Sequence, residues 1–428
     1  MNRAGAIITS SRETLVFRDG RPFGAEGNLT GGRISWPLPS TVAGMIRSRI
    51  GLSRNTREPG YFGRGDPIKR SKNIWRLLDL HITGLLPIHR RLGEDRWSVE
   101  NLLFPAPADA AIFPEMVGSG SLLSIRRFSC KHLAPDEGCA DIWANWMLPH
   151  MTGARKPARR PPAFWNMDRF LAWLREEDLG SLSSQELGVA GATLETRVHN
   201  SINPDTLTVL NGALFDSPGI RLAVRFTDVA MPDELGLVVF LNGLEDDDDA
   251  TGSVHFGGER RIALNETFEG AFPSIDAIKE TLTDRRFIRL VLVTPGSFGC
   301  WVPSWLLPEP CLRNGLTPWM VVPKTAARVR LCSAFVPGWS PLSGWNYDTR
   351  SRKAMRKVVP AGSVYVLEVE KREESFAIAS ALWGKSICDP QVLDRSEPPP
   401  ATLPPDHDGF GVVVVGCADK LCGVVTGL

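Results

Sequence analysis

The chain has no uninterrupted apolar run near the roughly 18 residues that a membrane-spanning helix requires, so a helical membrane protein is not expected. None of its 8 cysteines forms a CxxC pair, and the closest two, Cys417 and Cys422, have four residues between them. Structural zinc modules gather thiolates in tight pairs, so neither a metal nor another cofactor is expected. In a chain of 428 residues, scattered cysteines read as small buried hydrophobes in a reducing setting. The opening MNRAGAIITS is followed by polar residues, not an apolar segment, so the expectation is no signal peptide and a soluble, cytoplasmic protein. There is no periodic repeat and no GxGxxG, P-loop, GxSxG or HExxH motif, which removes the usual nucleotide, hydrolase and metalloprotease readings.

What is present is an uneven charge. Lys+Arg 49 and Asp+Glu 48 almost cancel, yet residues 1–100 hold 17 Lys and Arg against 9 Asp and Glu. Residues 201–300 hold 8 against 16, with the run Glu245-Asp246-Asp247-Asp248-Asp249. One basic end and one acidic stretch suit a polyanion on one side and a protein or solvent on the other. Two solvated faces with no partner would give the same numbers. Arginine dominates the basic part, and its planar fork suits phosphate contacts and base stacking.

Gly 40 and Pro 33 punctuate the chain, so long helices are scarce. Ala6–Ile8 and Thr14–Phe17 read as strand material, followed by a loop with Arg18, Arg21 and Arg33. Ser40 looks like the N-cap of a helix Thr41–Ile50 that Gly51 ends, with Val42, Met45, Ile46 and Ile50 as its apolar stripe. Residues 152–165, TGARKPARRPPAFW, form a basic, proline-rich loop or domain joint, with a short helix from Asn166. The segment 220–226 alternates like a half-buried strand. Phe287–Val293, Ser363–Glu370 and Val412–Val415 are further strands, and 396–408 is a linker. Short strands with few helices indicate α+β with antiparallel sheets.

Several groups carry possible chemistry. The helix at Ser40 offers a positive dipole end to a phosphate, or is simply a core helix behind a surface loop. Arg197 and His199 share one strand face, which suits stacking or phosphate contact better than acid–base catalysis, because no second acid–base group lies nearby. His81 and His89 have no evident partner in sequence. Gly257-Gly258-Glu259-Arg260-Arg261 permits close backbone approach with flanking guanidiniums, or is a plain hairpin turn. Gly296–Trp301 offers Phe298 for stacking, and Trp345-Asn346-Tyr347 precedes Arg350, Arg352, Lys353, Arg356 and Lys357, a nucleic-acid footprint rather than an enzyme signature.

In this order the pieces Phe17–Phe23, Trp36–Ser48, Arg197-Val198-His199, Asn211–Phe215, Phe256–Arg261, Leu292–Gly296 and Val359–Tyr365 resemble a known family. It is the RAMP-superfamily subunit of type III-B CRISPR (Cmr) effector complexes that holds the 5′ tag of crRNA. The resemblance implies two ferredoxin-like (RRM-like) modules, residues 1–200 and 201–428, with antiparallel sheets, a β-hairpin thumb and irregular insertions. It also implies a non-catalytic role in antiviral defence. The partners would be crRNA, the large polymerase-like subunit, the backbone RAMP subunits and, indirectly, target RNA. Arg18, Arg21, Ser40, Thr41, Gly44 and Arg47 are the first implied RNA contacts. Arg197, His199, Gly257, Gly258, Arg260 and Arg261 follow, with Phe298 and Arg350 from the reading of the loops. The rival is a metal-independent crRNA-processing endoribonuclease using His199.

Overall fold

The computed structural model describes residues 3–19, 34–58, 67–91, 94, 96–117, 120–132, 143–153, 155–224, 233–308, 315–346, 351–391, 393–394 and 403–424. Its first sheet contains β1 (Arg3–Ser10), β2 (His81–Arg90), β3 (Asp233–Leu244) and β4 (Ile262–Thr267), side by side as β2-β3-β1-β4. Every pairing is antiparallel, so β1 and β2 run the same way with β3 between them. The crossover from β1 to β2 holds α1 (Pro39–Arg57) and α2 (Pro67–Leu78). The second sheet repeats the order with β5 (Phe287–Leu292), β6 (Arg328–Phe335), β7 (Val364–Val369) and β8 (Val412–Cys417), arranged β6-β7-β5-β8. Its helix, α3 (Ser375–Leu382), lies in the other connection, between β7 and β8. The fold is α+β with antiparallel sheets, as the short strands and sparse helices indicate.

The strands owe their composition to burial on both faces. Ile7, Leu237, Val239 and Leu241 pack with Val42, Met45, Ile46 and Ile50 of α1. Ile8, Val238 and Phe240, on the opposite face, join one core with Ile288, Leu290, Val366 and Val414 of the second sheet. The two sheets therefore share a hydrophobic interior, and β5, β7 and β8 are buried at every position. Strands covered on both sides read as continuous apolar runs and not as alternating ones.

Two local expectations change. α1 starts at Pro39, with Leu38 as N-cap and no side-chain cap. Proline fits the first helical position because its missing N–H would be unpaired there anyway. The helix also runs through Gly51 to Arg57, because Ile50, Gly51 and Arg54 are all buried and the burial outweighs glycine's roughly 1 kcal/mol helix penalty. Thr14–Phe17 forms no strand. Leu15 makes a single bridge to Ile220, with reciprocal N–H···O bonds of 2.8 Å.

Between β2 and β3 lies a large insertion. It includes the ribbon Ala110–Val117 with Gly120–Arg127, the helix Met167–Leu174, and a long hairpin of Thr193–Ile202 with Val209–Arg221. The insertion is locked to the second sheet by Arg289 of β5. That residue is fully buried and bonds Asp109 and the Trp173 carbonyl. The hairpin is largely exposed. Residue 200 falls inside it, and the chain passes from the first sheet to the second over 268–286.

Candidate nucleic-acid interface

A cavity of about 650 Å³ opens where α1 meets two other pieces of chain. One wall is the first turns of α1, with Ser40, Thr41, Gly44, Ser48 and Arg49. A second is the edge strand Gly252–His255 with Gly257, and a third is Ser343, Gly344, Lys353 and Arg356. The third wall belongs to a hairpin between β6 and β7, so the second sheet reaches over to the helix of the first. That hairpin pairs Ser340–Leu342 with Arg356–Val358 and Trp345–Asn346 with Ser351–Arg352. The Lys353 amide bonds the Gly344 carbonyl at 2.8 Å, and the Ser343 hydroxyl bonds the Lys353 carbonyl at 2.8 Å.

The electrostatics favour an anion. α1 has no acidic residue in its first turn, so nothing offsets the positive end of its dipole. Pro39 has no amide hydrogen, and the Thr41 and Val42 amides bond the Leu38 carbonyl at 3.0 and 3.2 Å. The dipole and the Ser40 and Thr41 hydroxyls therefore matter more here than free backbone donors. Burial lowers the pKa of the Lys353 ammonium, Asp408 opposes this, and Arg356 and Arg47 add to the lowering. Neither Lys353 nor Arg356 has an ion-pair partner among the described residues. The one carboxylate of the lining, Asp408, is held by Arg47 at 2.5 Å. A group that is half-desolvated, cationic and unpaired gains most when a phosphate arrives.

Of the residues expected from sequence, Ser40, Thr41, Gly44 and Gly257 line this cavity. A Cβ on Gly44 would meet nothing within 4 Å, so the helix presents bare backbone to the opening. Gly257 has φ +82°, and a Cβ there would sit 2.6 Å from the Val16 carbonyl. The Gly258 amide donates to that carbonyl at 2.8 Å, and Phe256 meets Phe17 edge-on at 5.0 Å. Glycine is thus needed here for chain-on-chain contact as well as for any ligand.

The others sit elsewhere. Arg47 is half-buried and bonds Asp408 and the carbonyls of Leu80 and His407, so it supports the cavity from behind. Arg18 pairs with Glu259 at 3.2 Å, and Arg261 pairs with the same carboxylate at 3.1 Å. Arg260 is exposed on the same turn. Arg197 and His199 share a hairpin face as expected. Arg197 bonds Glu195 at 2.8 Å, and the His199 ring stacks on Phe215 at 5.5 Å with Nε2 buried and without a hydrogen-bond partner among the described residues. Phe298 turns inward against Gly296 and Gly411 and meets Tyr365 at 6.5 Å. Arg21 and Arg350 lie outside the described residues.

Two relationships are invisible in sequence. His81 has a partner after all, because its ring lies 4.0 Å from that of His407; burial first, then His407 and Arg47, lower its pKa. The acidic run does not simply face solvent or a neighbour. Asp248 is buried and bonds Arg54 at 2.8 and 2.6 Å and Arg57 at 3.2 Å. Glu245 bonds Arg76, and Asp249 bonds Arg49. The run clamps α1 and α2 to the end of β3.

With this geometry in place, comparison with known families is informative. A model described as CRISPR-associated protein (Cas_Cmr3) matches residues 9–386. The chain belongs to this family. It is therefore a Cmr subunit of CRISPR systems. A chain in the cryo-EM structure of the Type III-B Cmr-beta bound to cognate target RNA and AMPPnP, state 1, is similar at 15% identity, over 86% of this chain and 86% of that chain, with a TM-score of 0.43. One in the structure of the Type III-B Cmr-beta bound to cognate target RNA is similar at 16% identity, over 84% and 86%, with a TM-score of 0.39. No curated protein matches.

Proposed function

We propose that the chain is a non-catalytic RNA-binding subunit of a type III-B Cmr complex. Its two sheets act as ferredoxin-like modules, and the 5′ tag of crRNA lies in the cavity between α1 and the Ser340–Val358 hairpin. It would bridge the large polymerase-like subunit to the backbone subunits. The observation that carries this reading is the pair of unpartnered cations, Lys353 and Arg356, facing the uncompensated positive end of α1. The family membership supplies the setting. The Arg197–His199–Phe215 face of the long hairpin suits stacking and phosphate contact. Cleavage is less well supported, because Arg197 is held by Glu195 and His199 is stacked, not paired with an acid.

The test is binding of purified full-length protein to a 5′-tagged guide RNA and to the same RNA without the tag, with the RNA recovered afterwards. Tag-dependent binding with intact RNA is expected. Metal-independent cleavage lost in His199→Ala would overturn the non-catalytic reading.

A further inference from the structure

The proline-rich loop at 155–162 belongs to no part of the cavity. It reads Arg155-Lys156-Pro157-Ala158-Arg159-Arg160-Pro161-Pro162, and its four cations are exposed. None has an ion-pair partner among the described residues. Many arginines elsewhere do, including Arg54 with Asp248, Arg76 with Glu245 and Arg330 with Glu368. The sequence explains the difference. From Ile142 to Met167 there is not one Asp or Glu across 26 residues. At the chain's overall frequency of 48 in 428, about three would be expected, so the segment brings no carboxylate of its own to pair with these cations.

The loop is also held in place. The Ala158 amide donates to the Ile112 carbonyl at 2.8 Å, and Ala158 packs against the shared core. This anchors the loop to the ribbon Ala110–Val117, and Pro157, Pro161 and Pro162 restrict the backbone on either side. Two further exposed cations, Arg126 and Lys131, sit on strands of the same insertion. A stiff loop presenting paired cations without carboxylates loses little entropy on meeting a repeated negative charge.

We propose that this loop is a second RNA-binding surface, separate from the cavity, that holds the phosphodiester backbone of a single RNA strand without reading its bases. It rests on the RNA-binding reading above but uses different residues. Each cation–phosphate contact on a single strand adds about 0.7 to the slope of log affinity against log salt. Replacing Arg155, Lys156, Arg159 and Arg160 with alanine in the full-length protein should lower that slope by about 2 to 3 units. Between 50 and 200 mM salt, the loss of affinity should then be about 15- to 60-fold smaller than for the unaltered protein.

The probe is a labelled 40-nucleotide single-stranded RNA, tested beside a variant with Arg155, Arg159 and Arg160 changed to lysine. The lysine variant should keep the slope, and both should melt with the unaltered protein. An unchanged slope in the alanine variant overturns the proposal. So does an unchanged slope with lost assembly onto other Cmr subunits, which would assign the loop to an acidic protein surface. The cavity is read separately with Lys353→Ala/Arg356→Ala. If that variant loses slope and the loop variant does not, only this inference falls. If the unaltered protein shows no salt-dependent RNA binding, both fall.

Discussion

Replacing Asp248 with alanine tests how α1 is held. The carboxylate is completely buried and accepts from Arg54 Nε and Nη2, from Arg57 Nη2 and from the Glu245 amide at 2.9 Å. Arg54 is itself 1% exposed, so truncation takes the closest carboxylate from a guanidinium in the interior, while Glu245, at 3.3 Å, still offsets part of its charge. Breaking a buried pair from one side costs about 3–5 kcal/mol. The remaining Glu245 contact puts Asp248→Ala near about 3 kcal/mol. For a cooperative unit of roughly 150–250 residues, each kcal/mol lowers Tm by about 2–4 °C, so calorimetry should show a fall of roughly 6–12 °C. Replacing both partners, Arg54→Met with Asp248→Leu, should recover most of that loss, because the uncompensated charge goes with the pair. A fall of less than about 2 °C in the single variant would refute the clamp. So would a double variant no more stable than the single.

The same carboxylate predicts acid sensitivity. Burial pushes the Asp248 pKa up, but the Arg54 bonds, the Glu245 amide and the charges of Arg54 and Arg57 together hold it below 3.8. A depressed folded value gives stability at neutral pH that is lost as pH falls below about 4, and Asp248→Asn should flatten that part of a Tm–pH curve. Gly44→Leu should leave the stability unchanged or raise it by up to about 1 kcal/mol of helix propensity, yet weaken tag binding by filling the cavity mouth; unchanged affinity would place the RNA elsewhere. Gly257→Ala should be destabilising by about 1–3 kcal/mol, because φ +82° and the Val16 carbonyl both oppose a side chain; a neutral result would contradict the chain-on-chain contact. Because the Lys353 pKa is lowered, RNA affinity should begin to fall with rising pH before the ordinary 10.5, and Lys353→Arg should remove that fall.

The sequence is most legible where burial is complete. Phe287–Val293, Ser363–Glu370 and Val412–Val415 match β5, β7 and β8 to within one or two residues, because apolar runs bounded by glycine and proline leave little else to form. The pattern of α1 gives its apolar face but not its end, since what carries it past Gly51 is burial, and Arg54 can be buried there only with a partner 194 positions away. The same distance makes the run 245–249 look like a solvated face. Arg47 looks free for RNA in sequence, but its partner Asp408 is 361 positions away. The basic stretch after Trp345 is visible as a footprint, yet only the hairpin register shows that Lys353 and Arg356 are the cations that reach α1. Long-range charge pairing, not local pattern, decides which arginines of this chain remain available.

An RNA strand held as proposed in the cavity between α1 and the Ser340–Val358 hairpin would contact Lys353 and Arg356. The most direct measurement is the salt dependence of 5′-tagged guide RNA binding by the full-length protein and by Lys353→Ala/Arg356→Ala. A slope lower by about 1.4 units in the variant, with intact RNA and an unchanged Tm, is the expected result. An unchanged slope, with the protein folded, would contradict it.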